Sequence, residues 1–438
     1  MKAVAADTQP FGDVAAAVRN AFVGGPFGSN LVSADYVPAG VPVIRGQNMS
    51  ERWVSGEFVF VTAEKARSLE SNLARPGDLV FTQRGTLGQV SIVPPEPWPV
   101  YLVSQSQMKA TVDPEKADAL FLYYYFKSAE QQAWVRSNAI QTGVPHTNLG
   151  ILRAHPIPKL LPADQRRIAE LLGSLDDKIE RNRRASRALE GLARAMFKAW
   201  FVDFEPVHAK AAGAKSYPGM PPEAFAALPT RFADSPLGPV PERWGVASLP
   251  QLAAFLNGLA LQKYPPRADG SDLPVIKIAE LRKGSTESAD AANDTVPAPY
   301  IIHDGDLLFS WSGTLEVRRW FGGKGALNQH LFKVTPTRHP LWFVHHALLI
   351  HLPEFRAIAS SKATTMGHIQ RKHLDAALAV VPPKAVMIAA SATIGPLYDL
   401  TASLDLESRK LATLRDYLLP KLLSCEVRVS GSGSSDGV

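Results

Sequence analysis

One cysteine, Cys425, stands in the 438 residues of the chain. It excludes an internal disulfide and a thiolate metal cluster, and it fits a reducing, cytoplasmic setting. No run of 18 apolar residues occurs, so no membrane span is expected. The N-terminal MKAVAADTQPFGD lacks the continuous apolar core of a secretory signal. Motifs that carry chemistry are also missing. GGPFG (24–28) and FGGKG (321–325) fail the GxxxxGK-Ser/Thr spacing of a phosphate loop and read as turns. No GxGxxG follows a strand signal, which removes the dinucleotide fingerprint. The only double proline directly beside an aromatic, Tyr264-Pro265-Pro266, has the wrong order for an amino-methyltransferase tetrapeptide. Without any Glu-x-Lys, Asp78 and Asp306 cannot complete a metal-nuclease set and read as strand-entry turn residues. His345, His346 and His351 are spaced so that a helix cannot turn three ligands to one face. The chain therefore reads as a recognition or scaffold protein rather than an enzyme. Its net charge of +6 and pI near 9.2 are compatible with a nucleic-acid partner.

What is present is periodic. From Asp164 to about Asp203, small or apolar residues recur at Ile168, Leu172, Leu175, Ile179, Ser186, Leu189, Ala193, Met196 and Trp200. The alternating spacing of four and three predicts a long helix with a coiled-coil seam. Asn182 falls in that seam, where a polar residue sets register. A second stretch, from Ile394 to about Leu423, repeats the seam with Ile394, Leu397, Thr401, Leu404, Ser408, Leu411, Arg415 and Leu418. Pro396 places its start near Gly395, and Pro420 is expected to kink or end it. Each amphipathic rod needs a partner, and each supplies one to the other.

The chain also repeats itself. GVPVIRGQNM (40–49) is echoed by DLPVIKIAEL (272–281), and PGDLVFTQRGTLG (76–88) by DGDLLFSWSGTLE (304–316). Pro42 and Pro274, Gly77 and Gly305, Leu149 and Leu374, and Leu175 and Leu397 align at separations of 232, 228, 225 and 222 residues. Runs such as VPVIR, DLVFT, QVSIV, YLVSQ, PVIKI, DLLFS and HLFKV predict strands, followed by one helical stretch per copy at 117–138 and 340–361. The order is block, rod, block, rod: 1–160, a central long helix at 161–204, a Pro/Ala/Gly-rich connector at 205–245, 246–385, a C-terminal long helix at 386–425, and a Gly/Ser-rich tail at 426–438 expected to be disordered. The fold class is α+β: two β-rich domains alternating with two long helices.

The segments QRRIAELLGSLDDKIERNRR…LEGLARAMFKAWFVDFEPV and LATLRDYLLPKLLSCEV resemble the central and C-terminal segments of type I restriction–modification specificity subunits. The turns PGDLVFTQRGTLG and DGDLLFSWSGTLE are similar to the strand-turn pattern of their target recognition domains, with Glu316 in the second where the first has Gly88. The resemblance implies two target recognition domains, each reading half of a split double-stranded DNA site, and two helices packed as an antiparallel coiled coil. It implies docking of two methylation subunits and of motor-nuclease restriction subunits. S-adenosylmethionine, ATP and Mg would belong to those partners, with no cofactor and no active site in this chain. The alternative is a non-catalytic scaffold whose two repeats bind proteins.

Reading base edges takes forked donors and amides, while Lys, Arg and backbone amides hold phosphates. Such residues fall in loops or at strand ends: Arg45, Gln47, Asn48, Arg84, Gln105, Gln141 and His146 in the first copy, and Lys277, Trp311, Gln329, His368, Gln370 and Arg371 in the second. Gln107, Thr142, Asn148, Arg282, Lys283, Ser312, Asn328, His330 and Thr364 lie in the same stretches. Arg84 and Arg371 are the leading candidates, being flanked by glycine or small polar residues that permit close approach to a backbone.

Overall fold

The computed structural model describes residues 7–141, 143–267, 272–361, 367–424, 426–427 and 429. Thr142, Thr364 and Cys425 lie outside the described residues, as does most of the expected tail, 428 and 430–438. The chain forms two compact units, Met1–Lys178 with Leu411–Val438, and Ile179–Lys410. Both boundaries fall inside long helices, because each β-rich block buries its own stretch of each helix.

In the first unit the strands Phe22–Gly24, Gln107–Ala110, Leu79–Thr82 and Val90–Ile92 form an antiparallel sheet in that spatial order. A five-stranded sheet beside it contains one parallel pair, Val41–Ile44 with Tyr101–Val103. Leu79, Phe81, Met108 and Ala110 are buried with Phe121, Leu122 and Phe126 from the helix Ala119–Lys127. Ile168, Ala169 and Leu172 of the central helix and Leu419 and Leu422 of the C-terminal helix complete that core.

The second unit repeats the construction. Ala253–Asn257, Leu331–Pro336, Leu307–Ser310 and Val317–Arg319 are ordered as their counterparts are, and Leu273–Ile276 runs parallel to Gly325–Leu327. The turn aspartates repeat as well. Asp78 accepts from Arg75 N at 2.9 Å and pairs with Lys109 at 3.3 Å. Asp306 accepts from His303 N at 2.8 Å and pairs with Lys333 at 2.8 Å. Each ties its turn to the neighbouring strand.

The central helix runs Pro162–Phe201, 40 residues or roughly 60 Å. Pro162 occupies its first turn, and Phe204 at φ 51° turns the chain away beyond its end. The C-terminal helix runs Lys384–Leu423, close to the expected 386–425, so the start near Gly395 read from Pro396 is corrected. The effective boundary signal is Pro382-Pro383, just before its first residue. Pro396 and Pro420 are exposed, as are Ala392 and Asp416, whose carbonyls lose an intrahelical donor and face water instead. This helix is long and apolar enough to cross a membrane by length and composition. Its N-terminal half packs into the second unit, where Val386, Met387, Ala390, Ile394 and Tyr398 lie in the core.

The two long helices pack antiparallel. Asp176 meets Arg415, Asn182 meets Glu407, and Ser186 meets Asp405, so one number climbs as the other falls. The expected seam residues are buried or half-buried along both helices, whereas Leu192 and Leu414 stand 50% and 43% exposed.

Three further expectations are corrected. Residues 205–245 are not a bare connector: they form the helices Glu205–Ala211 and Pro222–Ala226 and a short strand pair, and they bury Val207, Met220, Phe225, Leu228 and Val240. The helix read over 117–138 is two helices, broken where Ser128 takes an extended backbone and caps the second by accepting from Gln131 N. Leu149 does not correspond to Leu374. The helices Leu149–Ala154 and Arg371–Ala376 start 222 residues apart, which pairs the buried Leu152 with the buried Leu374.

Candidate nucleic-acid interface

Four loops converge in each unit, at repeat-equivalent places. In the first, the turn after Leu79–Thr82 lies along the loop before Leu149: Arg84 bridges His146, and Thr147 N donates to Gln83 O at 2.9 Å. Gln83 N and Arg84 N donate to Ser106 O at 2.7 and 3.3 Å, which joins the 104–106 loop. Ser104 N donates to Ile44 O at 3.0 Å, and Gln89 Nε2 to Gly46 O at 3.3 Å, which joins residues 45–48.

The second unit builds the same cluster. Ser312 bridges His368, and Ile369 N donates to Trp311 O at 2.9 Å. Trp311 N donates to His330 O at 3.3 Å, and Asn328 N to Ile276 O at 3.2 Å, next to Lys277. The scaffold repeats between copies while most side chains differ, Arg84 against Ser312, Ser106 against His330 and Arg45 against Lys277, with Gln105 and Gln329 the same.

Glycines let these loops close. A Cβ on Gly25 would lie 1.9 Å from Ser104 O, and one on Gly258 would lie 2.1 Å from Asn328 O. Both follow matching strands, AFVGG and AFLNG, a signal that the reading of loop donors overlooked.

Arg84, Gln141, Gln370 and Arg371 are exposed on the clusters. Arg84 makes no side-chain hydrogen bond or ion pair among the described residues, and the Arg371 guanidinium lies 5.9 Å from the Phe332 ring. Gln329 Oε1 accepts from Asn328 Nδ2 at 2.7 Å, and His146 Nδ1 lies 3.1 Å from Val144 O. His368 sits edge-on to Trp311 at 6.4 Å.

Other candidates are committed to the fold. Asn48 is fully buried; its Nδ2 donates to Ser55 O and Glu57 O at 3.0 and 2.9 Å and its Oδ1 accepts from Arg45 N at 3.1 Å. It cannot reach a base. Gln47 Nε2 also donates to Glu57 O, at 3.1 Å. Arg45 Nε is buried without a hydrogen-bond partner. Gln105 gives both amide hydrogens to Gly28 O and Leu31 O, at 2.6 and 2.7 Å, so it organises a loop instead of offering a fork. Lys277 is ion-paired with Asp290. Trp311 Nε1 is shared between Asn257 Oδ1 and Gln329 O at 2.9 and 3.1 Å. Gln107, Ser312 and Asn328 are buried, at 1%, 3% and 4% exposure.

His155 and His346, outside the clusters, are packing residues. His155, against Trp134 at 4.0 Å and bonded to Gln131 at 2.8 Å, has its pKa pushed by burial from 6.5 down to about 4. Burial likewise lowers His346 to about 4, and its Nδ1 lies 2.7 Å from Trp342 O. Among the described residues, no three His, Cys, Asp or Glu side chains gather as a metal site.

A duplicated β-rich unit that presents matching loop clusters, joined to paired long helices, defines a two-reader architecture. A family profile described as a type I restriction modification DNA specificity domain matches residues 36–190, which span most of the first cluster and the start of the central helix. The specificity subunit of the type I restriction enzyme MjaIX from Methanocaldococcus jannaschii is 23% identical over 84% of this chain and 82% of its own length. That of HindI from Haemophilus influenzae is 24% identical over 60% of this chain and 67% of its own. The crystal structure of a type I restriction–modification S subunit from M. genitalium shares the fold, with TM-score 0.53 at 14% identity over 96% of this chain and 97% of that one. Residues 36–190 thus match the type I restriction modification DNA specificity domain, and most of the chain is similar to type I specificity subunits.

Proposed function

We propose that each loop cluster reads one half of a split, asymmetric site on double-stranded DNA. The carrying observation is the duplication itself: one scaffold of four hydrogen-bonded loops, built twice, with different side chains at equivalent places. In this reading Arg84 and Arg371 contact DNA, supported by Gln141, His146, Gln329, His368 and Gln370. The chain assembles with two methylation subunits and with restriction subunits, which carry S-adenosylmethionine, ATP and Mg, and it acts in the cytoplasm where that DNA lies. Catalysis stays with those partners.

The test exchanges residues 1–160 for those of another specificity subunit and sequences the methylome of a host carrying the assembled system. One half of the methylated site changes and the other stays. A chimera that keeps both halves overturns the assignment. Binding by the assembled complex falls steeply with salt, since phosphate contacts release counterions.

A further inference from the structure

Phe27 is the most solvent-exposed large apolar residue of the described chain, at 82%. A single exposed apolar side chain is ordinary on a protein surface. This one differs in being held out by a pinned loop. Gly25 N donates to Gln107 O at 2.8 Å, Asn30 N to Phe27 O at 3.1 Å, and Gln105 clamps Gly28 O and Leu31 O from within the first cluster. The same Gln105 stands beside Ser106, whose carbonyl anchors the Arg84 turn. An open depression of about 450 Å³, lined in part by Ser33, Tyr36, Ser104 and Ser106, lies next to this loop.

Building on the proposal that the first cluster reads DNA, we propose that Phe27 is an apolar wedge that inserts at one base step of the first half-site, with Gln105 as its positioning residue. Apolar wedges partly unstack a step and kink the duplex. The depression gives the displaced sugar–phosphate backbone room, with Ser33 and Ser106 hydroxyls as donors to it. The second copy has no counterpart: Ala260 stands at the equivalent place, Leu259 bridges Asn328, and Leu261 is buried. The wedge therefore acts on one half-site only.

The experiment uses this chain assembled with its methylation subunits and duplexes of the methylated target carrying 2-aminopurine at successive positions of either half-site. Apart from any rise at the adenines that the methylation subunits extrude, wild type raises the fluorescence at one further step, in the first half-site. Phe27→Ala abolishes that rise and weakens binding about tenfold or more, with the salt slope and thermal midpoint unchanged; Phe27→Trp retains both the rise and the affinity. Gln105→Ala lowers the rise at the same step and leaves the second half-site untouched. Affinity of Phe27→Ala within twofold of wild type, or a loss of affinity with no change in fluorescence, overturns the wedge. Failure of the wild-type complex to bind any duplex sinks the DNA-reading proposal and the wedge together.

Discussion

Asn182 of the central helix donates a 2.7 Å hydrogen bond to Glu407 of the C-terminal helix, and Asn182 is only 3% exposed. A buried polar residue in a helical seam costs stability but selects one register, because every shifted pairing leaves it unsatisfied. Asn182→Ala removes a bond to a charged acceptor, worth about 1.5–3 kcal/mol. Urea unfolding of the variant reads a loss of that size. An unchanged midpoint shows that the pair carries no weight.

Arg415 and Asp176 form the corresponding charged contact at 2.6 Å, with side chains 28% and 14% exposed. Tyr124 Oη donates to the same carboxylate at 2.6 Å. Proximity to Asp176 raises the Arg415 pKa against the opposing effect of its burial. Asp176→Ala takes the acceptor from the buried Tyr124 hydroxyl and leaves Arg415 with Asp416 alone, for a loss of about 1–3 kcal/mol. In a double-mutant cycle with Arg415→Ala, the combined loss falls short of the sum by at least about 1 kcal/mol.

Gly25→Ala and Gly258→Ala each drive a methyl group into a backbone carbonyl of a recognition loop. The expected cost is about 1–3 kcal/mol of overpacking strain. The functional effect divides by copy: Gly25→Ala weakens discrimination at the first half-site and Gly258→Ala at the second. Binding to duplexes with base changes confined to one half-site measures this. Equal effects on both halves contradict the assignment of one loop cluster per half.

Acid should weaken each unit through a buried histidine. The unfolded imidazole takes a proton near pH 6.5, while folded His155 and His346 resist until about pH 4. Between those values the unfolded state binds more protons, so stability falls as pH drops from about 6.5 toward 4 and is independent of these groups above that window. The slope is on the order of 1.4 kcal/mol per pH unit per histidine. Chemical denaturation at pH 7.5, 6 and 5 checks it; a flat profile shows both rings protonated in the fold.

The helices, the repeat and the strands were legible because their signals are local. Seam residues from Ile168 to Trp200 recur with helical spacing, and β-branched runs such as VPVI lie between turn residues. The connector misled because its apolar residues, Val207, Met220 and Phe225, have no regular period; they are buried one at a time against a core assembled from elsewhere. Pro396 misled because the helix runs through it, its lost hydrogen bond falling at the exposed Ala392 while Ala390, Ile394 and Tyr398 anchor the flanking turns in the core.

Composition and periodicity were enough to specify two paired helices and two related β-rich blocks, since spacing along a chain dictates which face of an element is apolar. They could not say which loop donors remain available. Gln105 and Asn48 look like base-reading amides in a list, yet their hydrogens go to carbonyls up to 77 residues away. Those partners are brought together by the packing of strands distant in sequence, and a hydrogen bond depends on that final geometry rather than on residue type.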